Sequence, residues 1–387
     1  MLSLEGLVPG IVDAHAHFFN PRITPWSLQR LGPVSRPLVR ALPGPVLRLA
    51  SGLTGHSLDI VADSGVLNSR FEMRDYMKSL SGLRTVAGVP VAAVLPVDAQ
   101  WRRRLDPDEV SDGVRSDVAY LTQLPYGVDD APRLGGLVVA GDPRVPGLGI
   151  RSATDDDERG CIKGVRVRWG RHPDPLVYDW HTEAGALSSP SFRRAFAGIA
   201  ERGLIFESLC YSHELGTVDS LAREFPDTTI VVEHMGMPAG VFGPIGTSTG
   251  ATAAARADIL SLWRERMSML AVRPNVMVKI SGIASPLLGY GRERSGNIGS
   301  QHILADMIGP LVLHVVDRFG PDRVIWGSNA PMDSPNATVA MAAGALIDVL
   351  ADRGDYLLAN FFARNAQRVY RISDAETAPT ESADTES

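Results

Sequence analysis

His15 and His17 close the run Gly10-Ile11-Val12-Asp13-Ala14-His15-Ala16-His17-Phe18-Phe19 and are the side chains best spaced for chemistry. Alternate residues of a strand face the same way, so both imidazoles project together from the strand's C-terminal end, with Asp13 one step deeper on that face. Neutral imidazole is a common metal ligand and proton carrier, so two rings converging on one point predict a metal or acid–base site. The same spacing also fits two surface histidines on a turn. The polar residues at the ends of the later apolar runs separate the two readings.

Gly164-Val165-Arg166-Val167-Arg168-Trp169 places Arg166 and Arg168 on one face. A buried guanidinium needs an anion, so at least one of them is expected to grip a substrate carboxylate; the alternative is that one pairs in a helix layer. Glu207-Ser208-Leu209-Cys210-Tyr211 ends another run, with Tyr211 placed for substrate contact and His213 just beyond. His213 either faces the site or caps the helix that starts near Glu214. His234 lies in Glu233-His234-Met235-Gly236-Met237-Pro238, whose Gly-x-Pro turn suits a rim better than a strand interior. Lys279, in Val278-Lys279-Ile280-Ser281-Gly282, either neutralises an anionic substrate or is a paired structural charge. Asn329 and Asp333 follow Trp326-Gly327-Ser328.

The elements that would carry these residues are eight β-rich runs: 11–19, 85–93, 133–141, 162–169, 204–211, 228–236, 276–284 and 324–331. Most are near-continuous Val, Ile, Leu and Ala, as in strands buried on both faces. Helical patterns over 191–202, 214–225, 252–271 and 309–319 lie between them. This alternation predicts an α/β fold, a distorted (β/α)8 TIM barrel over 1–372, with chemistry at the strands' C-terminal ends. A doubly wound sheet is the runner-up, but no Gly-x-Gly-x-x-Gly follows the first strand. Residues 22–80 read as a cap-like insertion after the first strand, basic and apolar and interrupted by prolines. Residues 289–300 read as an active-site loop, and 373–387 as a disordered acidic tail.

With 387 residues, 44% hydrophobic and 21% charged, the composition is that of a globular enzyme. A net charge of −6 gives no reason to expect nucleic acid as a partner. Two cysteines are too few for a disulfide framework. The start lacks a signal peptide's pattern, and no uninterrupted apolar stretch is long enough for a membrane span. The expectation is a cytoplasmic protein acting on a small molecule, with homo-oligomerisation left open.

Taken in order, these anchors resemble the amidohydrolase superfamily, in its amidohydrolase-related branch. Phe319-Gly320-Pro321-Asp322-Arg323 and Asn365-Ala366-Gln367-Arg368-Val369-Tyr370 extend the resemblance to nearly the whole chain. It implies a distorted (β/α)8 barrel and relatives that are lactonases or non-oxidative decarboxylases. It places His15 and His17 on the first-strand metal pair, His234 on the sixth-strand histidine and Arg166 on an arginine that grips carboxylates in some relatives. The chain departs from the family at the eighth strand, where Gly-Ser-Asp-x-Pro becomes Gly327-Ser328-Asn329-Ala330-Pro331. Asparagine coordinates through oxygen or donates a hydrogen bond, but it does not take a proton from water. No lysine occupies the bridging position at the end of the fourth strand, so a binuclear centre is not expected.

The combined expectation is a hydrolase acting on a lactone, ester or amide. One divalent ion, zinc if present, would sit on His15, His17 and His213, or the chemistry would be metal-independent. His234, Asp333 or Asp13 would take over from the missing carboxylate, Asn329 would stay in the catalytic site as an oxygen ligand or hydrogen-bond donor, and Arg166, Arg168, Lys279 and Tyr211 would bind substrate. A non-oxidative decarboxylase and a non-catalytic binding barrel are the alternatives.

Overall fold

The computed structural model describes residues 3–20, 70–97, 117–144, 157, 160–175, 177, 179–180, 183, 185–291 and 298–373. Within them run the strands β1 (Ile11–Ala16), β2 (Val91–Pro96), β3 (Arg133–Leu134), β4 (Leu137–Ala140) and β5 (Ile162–Arg168). These are followed by β6 (Ile205–Leu209), β7 (Ile230–Val232), β8 (Val276–Ile280) and β9 (Val324–Trp326). They form two sheets in sequential order, β1-β2-β3 and β4 through β9, and every ladder is parallel. Single parallel bridges, Val97–Val138 and Ala16–Ala330, join the sheets at both seams. At the second seam the His17 N–H donates to the Ala330 carbonyl and the Asn329 N–H to the His15 carbonyl, each at 2.8 Å. The result is a TIM-barrel-like α/β fold.

The strand interiors follow the apolar runs: β1, β2, β4 and β6 to β9 are buried along their whole length. The third predicted strand is divided at Gly135-Gly136. Gly136 has φ +143°, and a Cβ there would lie 2.4 Å from the Lys163 side chain, so the break needs glycine. The second strand lies later than its pattern suggests. Residues 83–87 are a helix closed by Gly88 in a left-handed conformation, and the strand begins only after Pro90. The sixth, seventh and eighth strands are shorter at their C-terminal ends than predicted, because the chain leaves the sheet there to form the rim.

Around the sheet lie α1 (Met73–Ser79), α2 (Leu83–Ala87), α3 (Pro190–Glu201), α4 (Leu215–Glu224) and α5 (Ala253–Ala271). Then come α6 (Gln301–Phe319), α7 (Val339–Leu350), α8 (Asp355–Ala359) and α9 (Asn365–Tyr370). Four of them start at a Ser or Thr that accepts from the third backbone N–H of its helix: Ser189, Thr252, Ser300 and Thr338. Ser300 explains why α6 starts well before the predicted Gly309, with Pro310 accommodated inside the helix. The insertion reading rests mostly on residues 21–69, outside the described residues, as do 292–297 of the predicted loop and 374–387 of the tail. Among the described residues no helix is long and apolar enough to cross a membrane.

At the barrel's N-terminal face Arg323 ties three elements together. Its guanidinium donates to the carbonyls of Phe319, Arg273 and Ala271 at 3.0, 2.7 and 2.9 Å, joining the ends of α5 and α6 to β9. Replacing Arg323 by methionine keeps much of the apolar stem and strands those carbonyls. It should lower unfolding free energy by about 2 kcal/mol in urea denaturation, and an unchanged midpoint would contradict this role.

Candidate active site

The barrel interior holds two buried ion pairs. Arg166 on β5 grips Glu233, its Nε lying 2.8 and 2.9 Å from the two carboxylate oxygens and its Nη2 2.7 Å from Oε2. Lys279 on β8 donates to Glu207 on β6 at 2.7 Å, and the Tyr370 hydroxyl donates to the other Glu207 oxygen. Glu207, Glu233 and Lys279 are fully buried and Arg166 nearly so. At least one of Arg166 and Arg168 was expected to hold a substrate carboxylate, and Lys279 either to do so or to be a paired structural charge; Arg166 and Lys279 each meet a carboxylate of the chain itself, which offsets the cost of burying them. Burial opposes ionisation of Glu233, but the Arg166 guanidinium overcomes it and holds this carboxyl well below the usual range. At Glu207 burial dominates and pushes the carboxyl up to about 7 despite Lys279.

Three imidazoles lie against this frame. The His15 ring is 4.9 Å from that of His17 and 4.8 Å from that of His234. His15 is completely buried, and neither of its ring nitrogens makes a hydrogen bond. Glu233 Oε1, 3.7 Å from His15 Nδ1, is too far for one. His17 Nδ1 donates to the Val97 carbonyl at 2.9 Å, and its Nε2 faces Asn329 Oδ1 at 3.3 Å. His234 Nδ1 is engaged by Ser281 Oγ at 2.9 Å, leaving Nε2 open.

Burial, reinforced by neighbouring positive charge, keeps all three rings neutral near pH 7. His15 is pushed well below its ordinary value by burial, then by Lys279 and its histidine neighbours. Burial and then Arg166 lower His17 to about 3, and burial lowers His234 to about 4 although Glu233 opposes it. Neutral rings keep the lone pairs that ligation or proton acceptance requires.

The rim backbone is bent into unusual conformations. His234, Met235, Gly236 and Met237 all have positive φ, as does Asn329 at +54°. Such non-glycine residues persist only where surrounding contacts fix them. Here Trp263 Nε1 donates to the Met235 carbonyl at 2.7 Å and Ser212 Oγ to that of Gly236 at 2.9 Å. Gly282, at φ +61°, passes so close that a Cβ would sit 2.7 Å from His234 Nδ1, so the facing turn fits the ring only without a side chain.

The carboxylates considered as replacement bases are already engaged. Asp333 accepts from the Ala284 N–H at 3.0 Å with one oxygen and from Asn329 Nδ2 at 2.7 Å with the other; burial pushes it up to about 7. Asp13 accepts from the Ser328 and His15 N–H groups and from the Tyr76 hydroxyl, and so braces the seam between β1 and β9.

The structure does not bring His213 to His15, His17 and His234; its ring lies 5.6 Å from that of His172. It is exposed, donates from Nε2 to the Arg171 carbonyl at 2.9 Å, and stacks on Tyr211 at 6.0 Å. The predicted His15–His17–His213 ligand set is therefore corrected: His213 sits in the turn before α4, and it is not the cap either, because Tyr211 and Glu214 form the capping box there. Tyr211 is buried against His213 and His172. Arg168 lies half-buried one step beyond Arg166. Among the described residues, the metal-capable side chains whose ligand atoms come mutually close are His15, Glu233 and His234. Sequence reasoning passed over Glu207 and Glu233; the signal for them was the pair of buried cations, which requires two buried anions. A cavity of about 480 Å3 opens beside the rim loop, with Arg70, Phe71, Lys78, Ser328, Pro331 and Asp333 among its lining.

The amidohydrolase family model matches residues 12–372. The uncharacterized protein y4mH of Sinorhizobium fredii is 29% identical over 199 residues, covering 51% of this chain and 57% of that protein. An L-fucono-1,5-lactonase of Burkholderia multivorans is 25% identical over 219 residues, covering 56% of this chain and 64% of its own length. The chain thus spans less than two thirds of the length of these relatives. In fold it is similar to a Burkholderia multivorans amidohydrolase crystallised with bound zinc, with a TM-score of 0.63 and 19% identity, covering 94% of this chain and 100% of the other.

The depressed His17 value fixes a pH dependence. A ring whose folded value lies near 3 contributes stability that is complete above the unfolded value of about 6.5 and is lost as pH falls toward 3. Between pH 7 and 5 this amounts to about 2 kcal/mol. With chelator present, the stability difference between the parent chain and His17→Gln should shift by that amount against the parent. A pH-independent difference would show that His17 is not held neutral by burial.

Proposed function

The chain belongs to the amidohydrolase family, and from that membership we propose that it hydrolyses a lactone or related carbonyl of a small molecule by water attack at the C-terminal rim of the barrel. The observation that carries this reading is His15. A buried imidazole with two unpartnered nitrogens forfeits hydrogen bonds worth about 1–3 kcal/mol, a cost expected where the lone pairs serve a ligand. The similarity to L-fucono-1,5-lactonase supports a cyclic ester as the substrate class.

The residues present suit a divalent ion. His15 offers uncommitted nitrogens and His17, its ring 4.9 Å away, a neutral Nε2, so these two would hold it, with Glu233, engaged by Arg166, 3.7 Å from His15. When bound, such an ion lowers the pKa of a coordinated water and polarises the substrate carbonyl. We assign His234 as the proton acceptor for the attacking water. Ser281 occupies its Nδ1, its Nε2 is open, and the imidazolium formed would sit beside the negative Glu233. Asn329 does not take that role, because an amide has no basic nitrogen, nor does Asp333, whose two oxygens are already hydrogen-bonded. Arg166 acts through Glu233, fixing its orientation and keeping it ionised.

The test is hydrolysis of a panel of sugar 1,4- and 1,5-lactones, followed by acid release, before and after chelation and metal restoration. The parent chain should turn over at least one lactone class, and His234→Asn should lower kcat/KM by about 10²–10⁴ with little change in thermal stability. Release of CO2 from aromatic acids without lactone hydrolysis would overturn the proposal in favour of a lyase.

A further inference from the structure

The contact between His17 and Asn329 pairs two acceptors. A carbonyl only accepts, so the Val97 oxygen fixes the His17 proton on Nδ1 and leaves Nε2 with a lone pair. Asn329 turns its oxygen, a second acceptor, toward that nitrogen at 3.3 Å. An isolated asparagine would rotate its amide and donate to the ring. It does not, because its Nδ2 is bound to Asp333 Oδ1 at 2.7 Å. Asp333 is itself fixed by the Ala284 N–H on its other oxygen, and it is 4% exposed. The rim loop adds a further constraint: Asn329 is left-handed at φ +54°, and its N–H is spent on the His15 carbonyl.

We propose that Asp333 is a positioning residue: it holds the Asn329 amide with oxygen toward His17, so that the two side chains present a paired acceptor edge to a divalent cation. The spacing suits the role. Two ligands each about 2.0–2.2 Å from one ion and about 90–109° apart are separated by about 2.8–3.6 Å, a range that includes the observed 3.3 Å. The chain thereby regains, through an amide oxygen and a remote carboxylate, part of what the absent strand-eight aspartate would have offered directly. It regains the oxygen ligand without the basicity. This inference rests on the proposed metal site and adds to it a residue that touches neither ion nor substrate.

A reciprocal exchange tests it. In Asp333→Asn the new amide accepts from the Ala284 N–H with its oxygen and offers its NH2 to Asn329, whose amide must then turn and cap His17 Nε2 as a donor. Cobalt(II) affinity, read by calorimetry and by the visible absorption of the bound ion, should fall about 10–100-fold. Thermal stability should hold or rise, since a buried charge has been removed. Adding Asn329→Asp to that variant restores an oxygen facing His17 and a donor behind it, and cobalt affinity should recover. Unchanged affinity in the single variant, or no recovery in the double, would overturn the proposal. If the parent chain itself binds no cobalt, the metal site fails while the orientation stays testable. The 15N shift of His17 Nε2 in the metal-free protein should then move toward that of a hydrogen-bonded acceptor in Asp333→Asn, and no movement would sink the positioning role.

Discussion

The forked ion pair between Arg166 and Glu233 is the interaction on which the rest of the site depends. Either charge alone inside the barrel would cost several kcal/mol, and removal of one partner would leave the other uncompensated. Together they let the interior hold a guanidinium and a carboxylate next to three imidazoles without protonating them. Lys279 and Glu207 repeat the arrangement one strand further on, and Tyr370, near the end of the described chain, locks that second pair. The histidines therefore stand in a field whose charges are balanced locally, and burial decides their state. A neutral His15 with free lone pairs follows from that balance.

The rim adds a second constraint, of backbone rather than charge. Positive φ at four successive residues from His234 to Met237, and again at Asn329, turns side chains inward that regular strands would alternate across the sheet. These turns are held by contacts from other elements, so the site is a property of the assembled fold. At Asn329 both constraints meet. A left-handed position tolerates asparagine and aspartate better than most residues, so the exchange of one for the other leaves the backbone intact and changes only the chemistry. What is lost is a basic group; what is kept is an oxygen aimed at His17.

Much of the fold was legible in the chain. Near-continuous Val and Ile runs marked the buried strands, and parity along β1 and β5 placed His15, His17 and Arg166 on interior faces. The rim residues Asn329 and His234 followed from where those runs ended. Residues separated by long stretches of chain were not legible. Glu233 lies 67 positions from Arg166 and Glu207 lies 72 from Lys279, so no local spacing announced either partner: Arg166 was assigned to a substrate, and Lys279 was left open between a substrate and a structural pair. His213 shows the opposite error: its position just beyond a strand end suggested a ligand, but the capped turn there sends it outward. Strand lengths were overestimated at the rim because apolar composition continues past the last ladder hydrogen bond.

Burial and charge balance keep His15 neutral, with its lone pairs available, beside an ionised Glu233. Long-range 1H–15N correlation spectra of the histidine rings, recorded at pH 7 on the metal-free full chain, read that state directly. A neutral His15, with one protonated and one bare ring nitrogen, is the expected result. An imidazolium at His15, ion-paired with Glu233 and carrying protons on both nitrogens, would contradict it.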